Sequence, residues 1–305
     1  MRGIVEYGNQ SAHVVATAEG LRSPRNCNLN PDFYSPDKNG NKIIPPGCFA
    51  ASIPGKPGQA RILPRTYTVG FTPSGQQSIT VRHSSPFVAG DNLQVIYPSV
   101  VLEFKSTTLW QKGDVISIAL GGQTLTATLG DADLEEESIA KSNLKAAGAL
   151  LRQLSTNDVL RRRISPTVNE GAADSNSAFL TLRSRTGEAY TATVPSQDKI
   201  AVANLTAGQV IGKVKSANPD ESKIMLEAAT TAPIFPGIAI GDPVSGAARF
   251  GMLNPLHNID LRSDNTSQAL WISMSVWSER LPYWDDQLAA DFPEIKDASK
   301  VSQSS

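Results

Sequence analysis

Apolar and polar positions alternate from about residue 66 onward, and this period of two predicts short β-strands. Tyr67, Val69 and Phe71 alternate with polar or small residues, and several later runs repeat the pattern. Gly-Asp, Pro-Ser and Ser-Gly pairs separate the runs and mark turns. The segments 66–112 and 195–250 are therefore predicted to form a β-rich body, a small barrel or sandwich.

One stretch combines a hairpin, a helix and two further strands. The runs GDVISIAL and QTLTATL flank Gly121-Gly122, and glycine readily adopts the positive φ angles of a two-residue hairpin turn. A helical pattern follows, and then AFLTL and AYTATV read as strands joined by a turn at 186–188. Residues 113–194 are therefore predicted to be a ββαββ module, an α+β insertion in a mainly β protein.

The helix is predicted over residues 133–163. Its apolar positions step by three and four residues, as one face of a helix requires: Ala140, Leu144, Ala147, Leu151 and Leu154. Asp133 followed by Glu136 resembles a capping box, and Pro166 is predicted to end the region. We expect a break at residues 155–158, with a short second helix after it.

Both ends of the chain differ from this pattern. Residues 1–65 are rich in turn formers without a period, and eight basic against four acidic residues give them a charge of +4. We therefore predict an extended N-terminal arm that lies over a neighbouring surface. Residues 251–305 contain a cleanly alternating strand at 268–277 and three of the four tryptophans. From residue 279 onward, three basic and six acidic residues give −3.

The composition narrows the classes of function. The chain has 305 residues, a net charge of −1 and 40% hydrophobic residues, which disfavours a strongly basic nucleic-acid binder and a disordered tail. No apolar run approaches the length of a membrane span. Cys27 and Cys48 are predicted to be free thiols in a reducing compartment. Since His13, His83 and His257 lie far apart, we expect no metal site and no cofactor.

No motif predicts catalysis. His83 next to Ser84 is weak as a catalytic pair, because neighbours on a strand point to opposite faces. Residues 208–214 lack the spacing and the hydroxyl of a phosphate loop, and residues 131–142 lack the glycine and the final glutamate of a calcium loop. The protein is predicted not to be an enzyme.

Charged and aromatic residues are the candidates for contacts with partners. The run at 161–163 fits either a solvated helix end or a contact with an acidic partner. The tryptophans near the C-terminus fit packing or docking. The predicted interface residues are Arg22, Arg25, Arg61, Arg65, Arg161, Arg162, Arg163, Trp271, Trp277 and Trp284.

A weak internal repeat runs through the β-rich segments. Residues 78–93 and 223–244 both read as a strand, an apolar anchor, a Gly-Asp turn and a second strand, and residues 109–115 form a third partial copy. Glycine supplies an unusual φ angle and aspartate caps the turn in this interpretation.

Several phrases resemble structural proteins of tailed bacteriophages. Residues 113–194 resemble a module common in virion proteins, and the sequences that carry the resemblance are GDVISIALGGQTLTATLGD, KSNLKAAGALLRQLSTND and SAFLTLRSRTGEAYTATV. The sequence PFVAGDNLQV also resembles segments of virion proteins. AGQVIGKVKSA is similar to the opening strand of small capsid decoration proteins, whose β-rich folds sit at three-fold or quasi-three-fold points. The chain departs from those proteins in its greater length, its long N-terminal arm and its Trp-rich end.

The resemblance implies a non-enzymatic cement protein on the outside of a phage capsid, made in the bacterial cytoplasm. Its partners would be the major capsid protein and other copies of itself, a trimer included, without specific nucleic acid or membrane. A tail, neck or baseplate protein, with glycan binding through exposed tryptophans, is the alternative. An enzyme is the third class and would need an active-site cluster distributed along the chain.

Overall fold

The computed structural model describes residues 21–135, 137–171, 175–195, 198–243, 249–253, 258–261, 267–276 and 281–298. The chain forms two compact units, and the second interrupts the first in sequence: unit 1 comprises residues 1–64 and 244–305, and unit 2 comprises residues 65–243. Strands dominate, with barrel-like sheets and few helices, which confirms the prediction of a mainly β fold with an embedded helix.

The described strands are β1 (Leu21–Leu29), β2 (Ile43–Ile44), β3 (Phe49–Ser52), β4 (Gln59–Ile62), β5 (Arg65–Tyr67), β6 (Ser78–Thr80), β7 (Asn92–Val95), β8 (Ser99–Phe104), β9 (Val115–Leu120), β10 (Gln123–Thr128), β11 (Ile164–Glu170), β12 (Ala178–Ser184), β13 (Ala192–Thr193), β14 (Ile200–Leu205), β15 (Val210–Asn218), β16 (Lys223–Leu226), β17 (Ala239–Gly241), β18 (Arg249–Met252), β19 (Ile259–Asp260), β20 (Ser267–Val276) and β21 (Ile295–Asp297). The described α-helices are α1 (Ile139–Thr156), α2 (Asp158–Arg163) and α3 (Asp286–Asp291). Among the described residues, no helix is both long enough and apolar enough to cross a bilayer.

Unit 1 is built around a closed sheet. Its strands follow the order β1-β4-β3-β18-β20, and β20 also pairs with β1, which closes the ring. β21 lies parallel beside the second half of β20, and β2 pairs with β19. Strands from both ends of the chain therefore share one sheet and one core, which includes Leu29, Ile44, Ile62, Leu253 and Leu270.

The prediction of an extended arm is wrong over residues 21–64. β1 pairs with β20, and β3 pairs with both β4 and β18, so this segment supplies strands of unit 1. The physical reason is that its short apolar runs bury their side chains against strands more than 180 residues later in the chain. Residues 1–20 lie outside the described part.

Unit 2 contains a six-stranded barrel. The sheet order is β5-β17-β7-β15-β16-β6. A bridge between Thr68 and Val81, directly after β5 and β6, connects the two ends of this order. The amide of Val69 also donates to the carbonyl of Thr80 at 3.1 Å, so the ring of strands is closed. The barrel encloses a core that includes Phe87 and Leu93.

The barrel has an internal two-fold relationship. Exchanging β5, β6 and β7 with β15, β16 and β17 reproduces every neighbour pair of the ring. The two pairs that map onto themselves are β6 with β16 and β7 with β17. The repeat seen in the sequence at residues 78–93 and 223–244 therefore supplies equivalent strands of the two halves.

A four-stranded sheet separates the barrel core from a second core. Its order is β11-β12-β8-β14, and alternate side chains of its strands point to opposite faces. Phe179 stacks on Phe71 at a ring-centroid distance of 5.2 Å on the barrel face. Leu180 lies in the core of the other face, together with α1 and the sheet β10-β9-β13. β8 and β14, assigned to the β body from the sequence, thus belong to this shared sheet.

The helical region begins later than predicted and ends at Arg163, as predicted. α1 begins at Ile139 because Ser138 is its N-cap, with the Ser138 hydroxyl accepting from the amide of Lys141 at 3.4 Å. Asp133 lies earlier, in a 3₁₀ turn, and Glu136 lies outside the described residues. The break and the second short helix are observed as expected. Pro166 lies within β11, a strand that the sequence pattern did not predict.

Candidate interaction surface

The arginine run occupies the last turn of α2, where cations complement the partial negative charge of a helix end. Asn157 caps the start of this helix, with its side-chain oxygen accepting from the amides of Val159 and Leu160 at 3.2 and 3.0 Å. Leu160 is buried and fastens the helix to the core. The sequence therefore fixes α2 from its apolar side and leaves the arginines of its last turn exposed.

A fourth arginine joins this run from the end of β12. The Arg185 amide donates to the carbonyl of Arg163 at 2.8 Å, and its guanidinium Nε donates to the carbonyl of Ile164 at 3.1 Å. We call Arg161, Arg162, Arg163 and Arg185 the arginine cluster. Sequence reasoning missed Arg185 because only the pairing of β11 with β12 brings it next to α2.

Two carboxylates neutralise part of the arginine cluster. Arg161 pairs with Asp158 at 2.7 Å, and an Arg163 guanidinium nitrogen lies 3.9 Å from a Glu188 oxygen. The Arg161 and Arg163 side chains nevertheless remain about half exposed, at 53% and 51%. Such solvent-exposed pairs contribute little to stability. Among the described residues, the three guanidinium groups of α2 against these two carboxylates leave a local excess of positive charge on a chain whose net charge is −1.

Two of the four predicted N-terminal arginines are buried. Arg61 is 1% exposed and lies over the Phe33 ring at 5.1 Å, and Arg65 is 7% exposed. The prediction that these two anchor the chain to another surface is wrong, because burial within their own chain removes them from contact with a partner. Arg22 and Arg25 lie on β1, and their side chains fall outside the described part.

The predicted tryptophans have different environments. Trp284 is half-buried, and its ring packs on Phe49 at a centroid distance of 5.8 Å. Trp271 is a half-buried residue of β20, opposite Arg22 on β1 and Met252 on β18. Trp277 lies outside the described residues. The contact between Trp284 and Phe49 is therefore part of the internal packing of unit 1.

The remaining tryptophan belongs to a buried polar network that sequence reasoning missed. Trp110 donates its indole N–H to the side-chain oxygen of Asn143 at 2.8 Å and its amide to the hydroxyl of Ser142 at 3.0 Å. The Asn143 amide group donates to the carbonyls of Ser106 and Asn176 at 3.1 and 2.6 Å. Two polar residues inside an otherwise apolar helix face were the available signal.

Two of the three Gly-Asp pairs of the predicted repeat form turns, whereas Gly241 lies in β17 and Asp242 accepts the amide of Asn92 at 3.2 Å. Gly90 has a φ of 95°, and Asp91 accepts the amide of Val88 at 3.0 Å. Gly113 and Asp114 repeat this arrangement, with a φ of 86° and a bond of 3.1 Å from the amide of Gln111. Both aspartates therefore hold their own turns. Within the described residues, no group of three or more His, Cys, Asp or Glu side chains is placed to hold a metal ion.

No protein-family model matches this sequence, and no curated protein matches it significantly.

Proposed function

We propose that the protein is a non-enzymatic structural component of a tailed-phage virion that binds the outside of the capsid and cements neighbouring subunits. The arginine cluster is the observation that carries the proposed contact. It groups four guanidinium groups at one end of a packed α+β module, with two carboxylates beside them. The virion assignment rests on the resemblance of the module and barrel phrases to phage structural proteins.

In this proposal, the arginine cluster meets an acidic region of the major capsid protein. Guanidinium groups bind carboxylates through planar, paired hydrogen bonds, and they are more weakly hydrated than ammonium groups. The helix that carries three of them is held by a buried leucine and a capped start, so its backbone loses little freedom on binding. When many copies bind one shell, their individually weak contacts together give a high overall affinity.

Cosedimentation with preformed, undecorated capsids of the parent virus tests the proposal. We expect the full-length chain to bind in a fixed copy number per shell, and we expect binding to weaken as salt rises. The triple variant Arg161→Gln, Arg162→Gln, Arg163→Gln should lose most of this binding while remaining folded.

A matched triple variant separates the arginine cluster from a general loss of charge. Lys112, Lys141 and Lys215 are exposed residues of other elements, and changing all three to Gln removes the same charge. This control should bind capsids normally. Equal binding by the arginine variant would overturn the proposed contact, and no binding by the wild-type chain would overturn the capsid assignment.

A further inference from the structure

The hairpin of β9 and β10 has an exposed edge without the usual protection against pairing. Residues 123–128 pair with residues 120–115 in continuous register, without a bulge. The stretch from 115 to 128 contains no proline and no charged residue. Natural proteins protect free strand edges with charges, prolines or bulges, because an unprotected edge recruits another strand.

The backbone of β10 has hydrogen-bonding groups available on its outer side. Gly121 and Gly122 have φ angles of 54° and 77°, which fit the two-residue turn that makes residues 120 and 123 a hydrogen-bonded pair. The alternation of an antiparallel ladder then turns the N–H and C=O groups of Thr124, Thr126 and Thr128 away from β9. Among the described residues, no backbone hydrogen bond engages these outward groups.

The buried face of β10 packs against the core and keeps the strand in a fixed position. Leu125 and Ala127 are buried in the core that β10 shares with α1. Thr124, Thr126 and Thr128 are all exposed. The strand is therefore ordered before any partner binds, and pairing would cost little conformational entropy.

One outer strand of the neighbouring four-stranded sheet provides a contrast. β11 is the outer strand of the four-stranded sheet, and it contains Pro166 and ends in Glu170. Proline cannot donate a ladder hydrogen bond, so that edge is protected in the usual way. The β9–β10 hairpin has none of this protection in residues 115–128.

We propose that β10 pairs antiparallel with β10 of a second copy of this chain, which joins two three-stranded sheets into one. A two-fold axis at Thr126 places Thr126 opposite itself and Thr124 opposite Thr128. A charged residue at position 126 would face a like charge across such an axis, whereas neutral threonine pairs favour cross-strand contact. The strand is therefore complementary to itself in charge, and the symmetric pairing closes at a dimer.

Light scattering coupled to size exclusion tests this inference on the full-length chain at low and high micromolar concentration. We expect a dimer for the wild type. Thr126→Pro removes an outward N–H that the chain itself does not use, so it should raise the dimer dissociation constant by about tenfold or more while leaving the fold intact. Thr126→Lys should act similarly by placing like charges opposite each other.

Ser117→Lys is the matched control. Ser117 shares the outer face of the hairpin, with its hydroxyl 3.4 Å from that of Thr126, but it lies on the inner strand β9. Edge pairing predicts that Ser117→Lys still dimerises. Loss of the dimer in this variant would indicate face-to-face packing and overturn the inference, as would a monomeric wild type or a trimer insensitive to Thr126→Pro.

Cysteine crosslinking provides a second measurement that does not depend on a destabilising variant. Thr126→Cys should form an intermolecular disulfide under mild oxidation, since the two residues face each other on the axis. Ser117→Cys should not. Equal crosslinking of both variants, or of neither, would contradict pairing through β10.

Discussion

Ile79 and Ile224 lie directly opposite each other in the antiparallel pair of β6 and β16, and both side chains are fully buried. The two residues occupy equivalent places in the two halves of the barrel, because the exchange of halves maps β6 onto β16. One residue pair therefore lies at the centre of the internal symmetry of unit 2.

We predict that Ile79→Val and Ile224→Val destabilise the protein by similar amounts, about 1 kcal/mol each, because each removes one buried methylene from an equivalent place. Since the two side chains are neighbours, the double variant should deviate from the sum of the single effects. Urea unfolding measures this. Val210→Ala, at a valine that is 67% exposed, should be nearly neutral. Clearly unequal costs for the two isoleucines would contradict the equivalence of the halves.

The hydrogen bonds of Asn143 lead to a second prediction. Asn143→Leu keeps the approximate volume but leaves the Trp110 indole N–H and the Ser106 and Asn176 carbonyls without their amide partner. Because each loss leaves a polar group without its buried partner, we expect a destabilisation of about 3 kcal/mol. Urea unfolding followed by tryptophan fluorescence checks this value.

Ser155→Ala provides the control on the same helix. The Ser155 hydroxyl donates to the carbonyl of Arg152 at 2.7 Å, but the residue is exposed, so water can replace that bond. Its loss should change the free energy of unfolding by less than about 0.5 kcal/mol. An equally small effect of Asn143→Leu would contradict a stabilising role for the network.

The sequence predicted local structure better than it predicted pairing. The hairpin around Gly121-Gly122 and the two helices follow from neighbouring residues, and the structure contains them. β11 was missed because a proline usually ends an element, whereas at a sheet edge its missing N–H costs no ladder bond. β3 was missed because four residues are too few to show a period, and one of its two partners, β18, lies nearly 200 residues later.

The candidate surface shows the same division. Arg161, Arg162 and Arg163 were predicted as a group because they are contiguous, but Arg185 joins them only through strand pairing. Arg61 was predicted to be a surface anchor because it is charged. In the structure it is buried, and its guanidinium lies over an aromatic ring. Charge counted along a sequence does not distinguish these cases, since exposure depends on tertiary packing.

The two cysteines should react slowly in the folded protein. Both are free and buried, and burial raises the pKa of Cys27 to about 11 and that of Cys48 further still. Because the thiolate is the nucleophile, a thiol-reactive dye should label the native chain far more slowly than the chain in denaturant. Rapid labelling of both residues in the native chain at neutral pH would contradict the buried positions.

His83 should make stability depend on pH between about 6.5 and 4. Burial of the ring and the neighbouring positive charge of Arg82 lower its pKa from 6.5 to about 4. Below pH 6.5 the unfolded chain binds a proton at this histidine, whereas the folded chain binds it only near pH 4. The free energy of unfolding is therefore highest above pH 6.5 and decreases as the pH falls. The expected loss from this residue is about 2 kcal/mol between pH 8 and pH 5.

Urea unfolding of wild type and His83→Gln over this pH range isolates the contribution, because carboxylates titrate alike in both proteins. The free-energy difference between them should shift by about 2 kcal/mol in favour of the variant as the pH falls to 5. Arg82→Gln removes one cause of the lowered pKa and should reduce the pH dependence without abolishing it. Parallel pH profiles for wild type and His83→Gln would show that the histidine titrates normally in the folded chain.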